Sequence, residues 1–229
     1  MPIDAALRRV TEDWIAADPD PVTRAELQAL LDAGDEAALR DRMGGTLAFG
    51  TAGIRGVVEA GSNRMNRAVV IRTTRGLADY LLATRPGSGP VVVGYDGRLS
   101  SRTFAADTVG VLAAAGLPVR YFPEVAPTPL VAYAARVLGA TAAVVVTASH
   151  NPPRDNGYKA YDANAAQIIP PVDAGIAAAI DRVGPAAAVP RVEGALEGGS
   201  DLARPIEPAI AARYVEEVLA LRPAIAADR

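Results

Sequence analysis

The sequence predicts an α/β protein: a largely parallel, mixed sheet sandwiched by helices. Three observations carry that prediction. Short apolar runs, Val91-Val92-Val93 and Ala142 to Val146, have the composition of strands buried on both faces. Segments of helical period alternate with them, the rhythm of β-α-β units. Loops rich in glycine, proline, serine and asparagine follow these strands, where open α/β sheets display ligand-binding groups.

Taken in order, Ile3, Leu7, Val10 and Trp14 recur at helical spacing, with Trp14 assigned to the core rather than to a ligand. Thr23 followed by Glu26 reads as a capping box ahead of Leu27, Leu30 and Leu31. Leu47 to Phe49 reads as a short strand running into the segment Gly50-Thr51-Ala52-Gly53-Ile54-Arg55-Gly56. From Asn66, the spacing of Val69, Val70, Leu77, Tyr80 and Leu81 predicts a helix stopped by Pro86-Gly87-Ser88-Gly89. The Val91–Val93 strand follows, then a helix capped by Ser100 or Ser101 and reaching Ala115, then a strand at Val119 to Phe122. Pro127-Thr128-Pro129 opens a helix to Leu138, ahead of the Ala142–Val146 strand. Beyond Pro171 a helix runs through Ile176 and Ile180, and the Gly, Pro and Ala-rich stretch from Gly184 to Pro208 reads as loose. Ala211 to Leu221 is helical again, with Tyr214, Val218 and Leu221 on one face.

This reading divides the chain into a helical extension (1–46), a central domain (47–190), a linker (191–208) and the opening of an incomplete second domain (209–229). A lone helix after a linker cannot bury its apolar face by itself. The chain's 229 residues, 50% of them hydrophobic, suffice for one substantial core. A net charge of -3 gives no general attraction for nucleic acid or anionic membrane, so the expected partner is a small molecule. The absence of cysteine excludes disulfides, thiolate metal sites and a cysteine nucleophile from these residues. With no secretory pattern and no apolar run of membrane-spanning length, the expected location is the cytoplasm.

The chemistry is expected around Thr147-Ala148-Ser149-His150-Asn151-Pro152, which begins where a buried strand ends. Ser149 there suits a nucleophile or phosphate carrier, and His150, the only histidine, suits proton handling beside it. An ordinary strand-to-turn loop fits the spacing equally well. Asp155-Asn156-Gly157-Tyr158-Lys159 reads as a hairpin-like turn able to return Lys159, the only lysine, toward Ser149. In the glycine-rich 50–56 segment, Arg55 offers a fork of donors matched to phosphate oxygens, although a structural turn explains the glycines too. Asp96 and Arg98 in Tyr95-Asp96-Gly97-Arg98 read as a structural pair or as positioning groups.

Three motifs in this order, Phe49 to Gly56, Gly94 to Arg98, and Thr147 to Pro152 with Asn156 to Lys159, resemble the α-D-phosphohexomutase family of phosphoglucomutases and phosphomannomutases, over about Leu47 to Asp173. Arg64-Met65-Asn66 and Ala166 to Asp173 are most similar to the branch containing phosphoglucomutase-2 and phosphopentomutases. The resemblance implies a domain I fold of that family and a serine, matched by Ser149, that passes a phosphoryl group to and from sugar phosphates through a sugar 1,6-bisphosphate, which also serves as activator. It implies catalytic roles for Ser149, His150, Lys159 and Arg55, and phosphate or substrate binding by Thr51, Arg55, Asn151 and Lys159. It further implies Mg²⁺ held by the phosphate on Ser149 and by aspartates of a D-G-D-G-D-R loop, which this sequence lacks. The expectation is a phosphosugar mutase represented by an incomplete, inactive portion. A non-catalytic phosphosugar-binding module is the alternative, and a nucleotide-binding domain is disfavoured because no G-x-G-x-x-G follows the first strand.

Overall fold

A computed structural model describes residues 3–51 and 53–221. Its centre is a six-stranded sheet in the order β1-β5-β4-β2-β3-β6. The strands are β1 (Ile54–Val57), β2 (Val91–Tyr95), β3 (Val119–Tyr121), β4 (Ala142–Val146), β5 (Asp155–Asp162) and β6 (Ala203–Pro205). β2 pairs in parallel with β3 and β4, and β3 with β6, whereas β5 lies antiparallel to both β4 and β1. The mixed pattern follows from connection length. Helical crossovers join the parallel strands, but only the short 147–154 loop joins β4 to β5, and parallel pairing would need a longer return.

Alternation along β2 and β4 divides the core. Val91, Val93, Tyr95, Ala142, Val144 and Val146 face α4 (Arg67–Thr84), α5 (Ser101–Ala114) and α7 (Val172–Asp181). Val92, Ala143 and Val145 face α6 (Thr128–Val137) on the other side. Every residue of β2 and β4 is buried, which explains why the sequence showed continuous apolar runs there instead of alternation. Asn66 caps α4, its Oδ1 accepting from the Val69 N–H at 3.0 Å.

The amino-terminal region forms three helices, α1 (Ala5–Ala17), α2 (Pro21–Ala33) and α3 (Glu36–Met43), around Ile3, Leu27, Leu31, Leu39 and Met43. The expected Thr23–Glu26 capping box is corrected. Asp20 caps α2, accepting from the Val22 N–H at 2.9 Å, because Pro21 presets the first helical φ and starts the helix earlier. Thr23 instead donates to Asp18, and Glu26 binds Arg42 and accepts from the Ala60 N–H. Trp14 is partly buried where the extension meets α4 and the turn after α7.

Three further expectations change. Leu47 to Phe49 is irregular, and the strand begins at Ile54, after a tight turn in which Gly50 and Gly53 exchange backbone hydrogen bonds. Asp155 to Lys159 is no turn but the first half of β5, its backbone engaged on both sides by β1 and β4. The 191–208 stretch does not hang loose. The Val192 N–H donates to Gly110 O, Ala195 and Leu196 are buried in the core, and β6 extends the sheet. Gly110 of α5, where a Cβ would lie 2.5 Å from Val192 O, allows this backbone to run close against the helix, and such backbone bonds leave no trace in composition.

The final helix, α8 (Pro208–Ala220), touches α6 through an edge-to-face contact of Tyr133 and Tyr214, with ring centroids 5.3 Å apart. Val218 and Leu221 of its expected apolar face are exposed, and residues 222–229 of the expected second-domain segment lie outside the described residues. Among the described residues no helix is long and apolar enough to cross a membrane.

Candidate active site

β4 delivers Thr147 and Ser149 to the carboxyl end of the parallel strands, beside the end of β2, whose Asp96 N–H donates to Val146 O at 3.1 Å. Ser149 is exposed and has φ +53°, a left-handed conformation for a residue with a Cβ. Such backbone costs on the order of 1–3 kcal/mol and persists only when surrounding bonds enforce it. Those bonds are present. The Ser149 N–H donates to Thr147 Oγ1 at 2.9 Å, the Ser149 carbonyl accepts from Arg98 at 3.1 Å, and Lys159 Nζ donates to Ser149 Oγ at 2.5 Å. The local backbone therefore holds the hydroxyl at the outer edge of the sheet, against an ammonium group.

Arg98 organises the loop. Its guanidinium donates to the carbonyls of Pro152 (2.7 Å), Asp155 (2.9 Å), Asn151 (3.0 Å) and Ser149, and its Nε to Asp96 at 3.1 Å. A planar fork with several donors can gather one loop's carbonyls in this way; a lysine point charge cannot. Burial pushes the Asp96 carboxyl up, but hydrogen bonds from the Ser101 and Thr147 hydroxyls and the Arg98 N–H, together with the guanidinium charge, outweigh it and hold Asp96 below its ordinary value. Beneath the loop Asn156 is fully buried; its amide donates to Ser100 and Ser101 Oγ, and its Oδ1 accepts from the Gly157 N–H.

The strand register builds the remaining wall. Arg55 of β1 pairs with Gly157 of β5, so Arg55, Gly157 and Lys159 share a face. A Cβ on Gly157 would lie 2.7 Å from Thr147 O and 2.9 Å from Ile54 O, and one on Gly53 would lie 1.9 Å from Tyr158 O. Glycine at both positions allows three backbone segments to converge. The result is a recess of about 220 Å³ bordered by Gly53, Arg55, Thr147 and Lys159. Two cationic side chains thus flank an open space beside a serine hydroxyl, a geometry suited to a dianionic phosphoryl group.

The structure brings Ser149, Lys159 and Arg55 to this location, and Asn151 braces the loop by donating to Asp155 Oδ2 at 2.7 Å. His150 is exposed on the loop next to Ser149. Thr51 is not in the recess wall: its hydroxyl donates to Asp173 Oδ2 at 3.2 Å, at the start of α7, so it ties the 50–53 turn to that helix. Thr147, Asp155 and Asn156 were missed as site-forming residues. Thr147, two positions before Ser149, carries the spacing of a side-chain turn, which could have been read from the sequence. Among the described residues no group of three or more His, Cys, Asp or Glu side chains is placed to hold a metal ion. Asp96, the nearest carboxylate to the loop's clamp, is engaged by Arg98 and Ser101.

Residues 46–186 match the family described as phosphoglucomutase/phosphomannomutase, alpha/beta/alpha domain I. A phosphoribomutase of Saccharomyces cerevisiae is 42% identical over 171 residues, covering 73% of this chain and 28% of that protein. A glucose 1,6-bisphosphate synthase of Mus musculus is 40% identical over 179 residues, covering 74% and 29% respectively. A solved phosphoglucomutase/phosphomannomutase family protein from Burkholderia thailandensis superposes with a TM-score of 0.55 at 28% identity, covering 76% of this chain and 35% of that one. The chain spans under a third of the length of the curated relatives it matches.

Proposed function

The chain belongs to the phosphoglucomutase/phosphomannomutase family, and from that premise we propose that Ser149 carries the phosphoryl group of a phosphosugar mutase, exchanging it with sugar phosphates through a sugar 1,6-bisphosphate. The observation that carries this reading is Lys159 Nζ at 2.5 Å from Ser149 Oγ, on a loop held in a left-handed turn. In the forward step the Ser149 Oγ–P bond breaks and a bond forms between phosphorus and a sugar hydroxyl oxygen. The proton lost by that hydroxyl ends on Ser149 Oγ, and Lys159 is placed to deliver it while its charge offsets the equatorial oxygens. Arg55 clamps the phosphate from the facing strand, Thr51 and Asn151 hold the segments on either side, and His150 is a second candidate for proton handling.

We propose that the substrates are 1-phosphate and 6-phosphate or 5-phosphate sugars, and that the protein acts in the cytoplasm on small molecules without nucleic-acid partners. Among the described residues no carboxylates form a metal cage, so Mg²⁺ at a phosphorylated Ser149 would draw its carboxylates from outside the described residues. For the same reason we propose that these residues alone turn over no substrate. The test is intact mass analysis of the whole gene product incubated with glucose 1,6-bisphosphate and ribose 1,5-bisphosphate. One phosphoryl group mapping to Ser149 is expected, together with loss of mutase turnover in Ser149→Ala at unchanged circular dichroism. A protein that never carries phosphate on Ser149, or an active alanine variant, overturns the reading.

A further inference from the structure

A second concentration of positive charge lies away from the serine loop, at the β3–β6 edge of the sheet. Arg120 of β3 and Arg204 of β6 are register partners on adjacent parallel strands, so their side chains emerge side by side on the α6 face. Both line a cavity of about 530 Å³ whose other walls are largely apolar, with Leu138, Ile206 and Ile210 among them. Among the described residues neither guanidinium lies within ion-pair distance of a carboxylate. Glu207 also lines the cavity but lies beyond that distance from both. Arg204 Nε donates only to the Asp201 carbonyl, at 3.4 Å.

Like charges directly opposite each other on neighbouring strands repel, and β6 is a three-residue edge strand held to the sheet by β3 alone. A dianion lying across both forks would reverse that repulsion with charge-assisted, bidentate bonds. The apolar walls and the volume suit a body attached to the anion, not a bare ion. We propose that Arg120 and Arg204 form a binding site for a phosphate monoester with an apolar or planar body, separate from Ser149. Occupancy would fasten β6 to β3, and with it the start of α8.

Calorimetric titration of the 229-residue chain with phenyl phosphate tests this, with inorganic phosphate and benzoate as comparison ligands. Expected is saturable binding of phenyl phosphate with Kd at or below about 1 mM, and binding at least about tenfold weaker for both comparison ligands. Arg120→Gln and Arg204→Gln should each weaken phenyl phosphate about tenfold or more, while Arg120→Lys, which keeps the charge, should weaken it less. Circular dichroism of each variant establishes that the fold is retained. Hydrogen exchange of residues 203–210 should slow on saturation in the parent chain. In an Arg55→Gln/Lys159→Gln variant the binding component that the Arg120 and Arg204 changes remove should persist; its loss there would move the ligand to the serine recess and overturn the proposal. No saturation, equal binding of benzoate, or indifference to both arginine changes would also overturn it. So would failure of the whole gene product to bind, because the arginine pair would then belong to a surface covered by the rest of the protein. None of these results bears on whether Ser149 carries phosphate.

Discussion

Arg98 does more for the serine loop than the two residues most conspicuous in the sequence, His150 and Lys159. The carbonyls of Ser149, Asn151, Pro152 and Asp155 accept from its guanidinium, so one side chain ties the loop to the start of β5 at four points. Arg98→Lys should release that backbone, with an expected stability loss of about 1–3 kcal/mol in denaturant titration and faster amide exchange at 149–155. Lys159→Met should behave oppositely: turnover of the whole gene product falls at least about tenfold while the denaturation midpoint of the 229-residue chain barely moves. Asp96 provides a pH test. Its folded pKa is depressed below the ordinary 3.8, so its contribution is fully present above 3.8 and disappears as pH falls through the lower folded value. The stability gap between the parent chain and Asp96→Asn should therefore be widest near neutrality and close below pH 3.8, as urea melts at both pH values would show.

Among elements, β5 decides the most. It is flanked by β1 and β4, places Gly157 opposite Arg55, and sets Lys159 opposite Val145 within reach of Ser149. Its sequence, Asp-Asn-Gly-Tyr-Lys-Ala-Tyr-Asp, reads as a turn because Asp, Asn and Gly are turn formers, yet Asn156 is fully buried and bonded to two serines. Asn156→Ala should strand those hydroxyls and the Gly157 N–H, costing about 1–3 kcal/mol by denaturant titration. Gly157→Ala should be worse for the site than for the sheet. The added methyl meets the Thr147 and Ile54 carbonyls and pushes β1 from the serine loop, so phosphate incorporation should fall even in samples that remain folded. By contrast β2, β4 and α4 to α7 were legible from the sequence almost residue for residue, since a fully buried strand and a periodic helix are statements about local hydrophobic pattern.

At the scale of the whole chain, the amino-terminal helices have their own small core but remain tied to the α/β domain. Arg42 reaches Glu59, Arg64 reaches Asp41, Glu26 accepts from Ala60, and Trp14 packs on both sides of the junction. Trp14 is the only tryptophan, so its emission reports that junction specifically. Thermal unfolding followed by Trp14 fluorescence and by far-ultraviolet circular dichroism should give coincident transitions, as expected when two clusters melt together. An earlier fluorescence transition would mean that the extension detaches first.

Local pattern alone determined the alternation of strands and helices, the parallel core of the sheet, and the position of the serine loop at a strand's carboxyl end. Those features arise from neighbours within a few residues, where burial and backbone preference act directly. Tertiary structure decided the rest: that Asp155 to Asp162 is a strand, that residues 203–205 complete the sheet, that Arg98 braces the loop, and that Arg120 and Arg204 stand abreast. Each of these depends on hydrogen bonds or charges supplied by residues tens of positions away, and no window along the chain contains both partners.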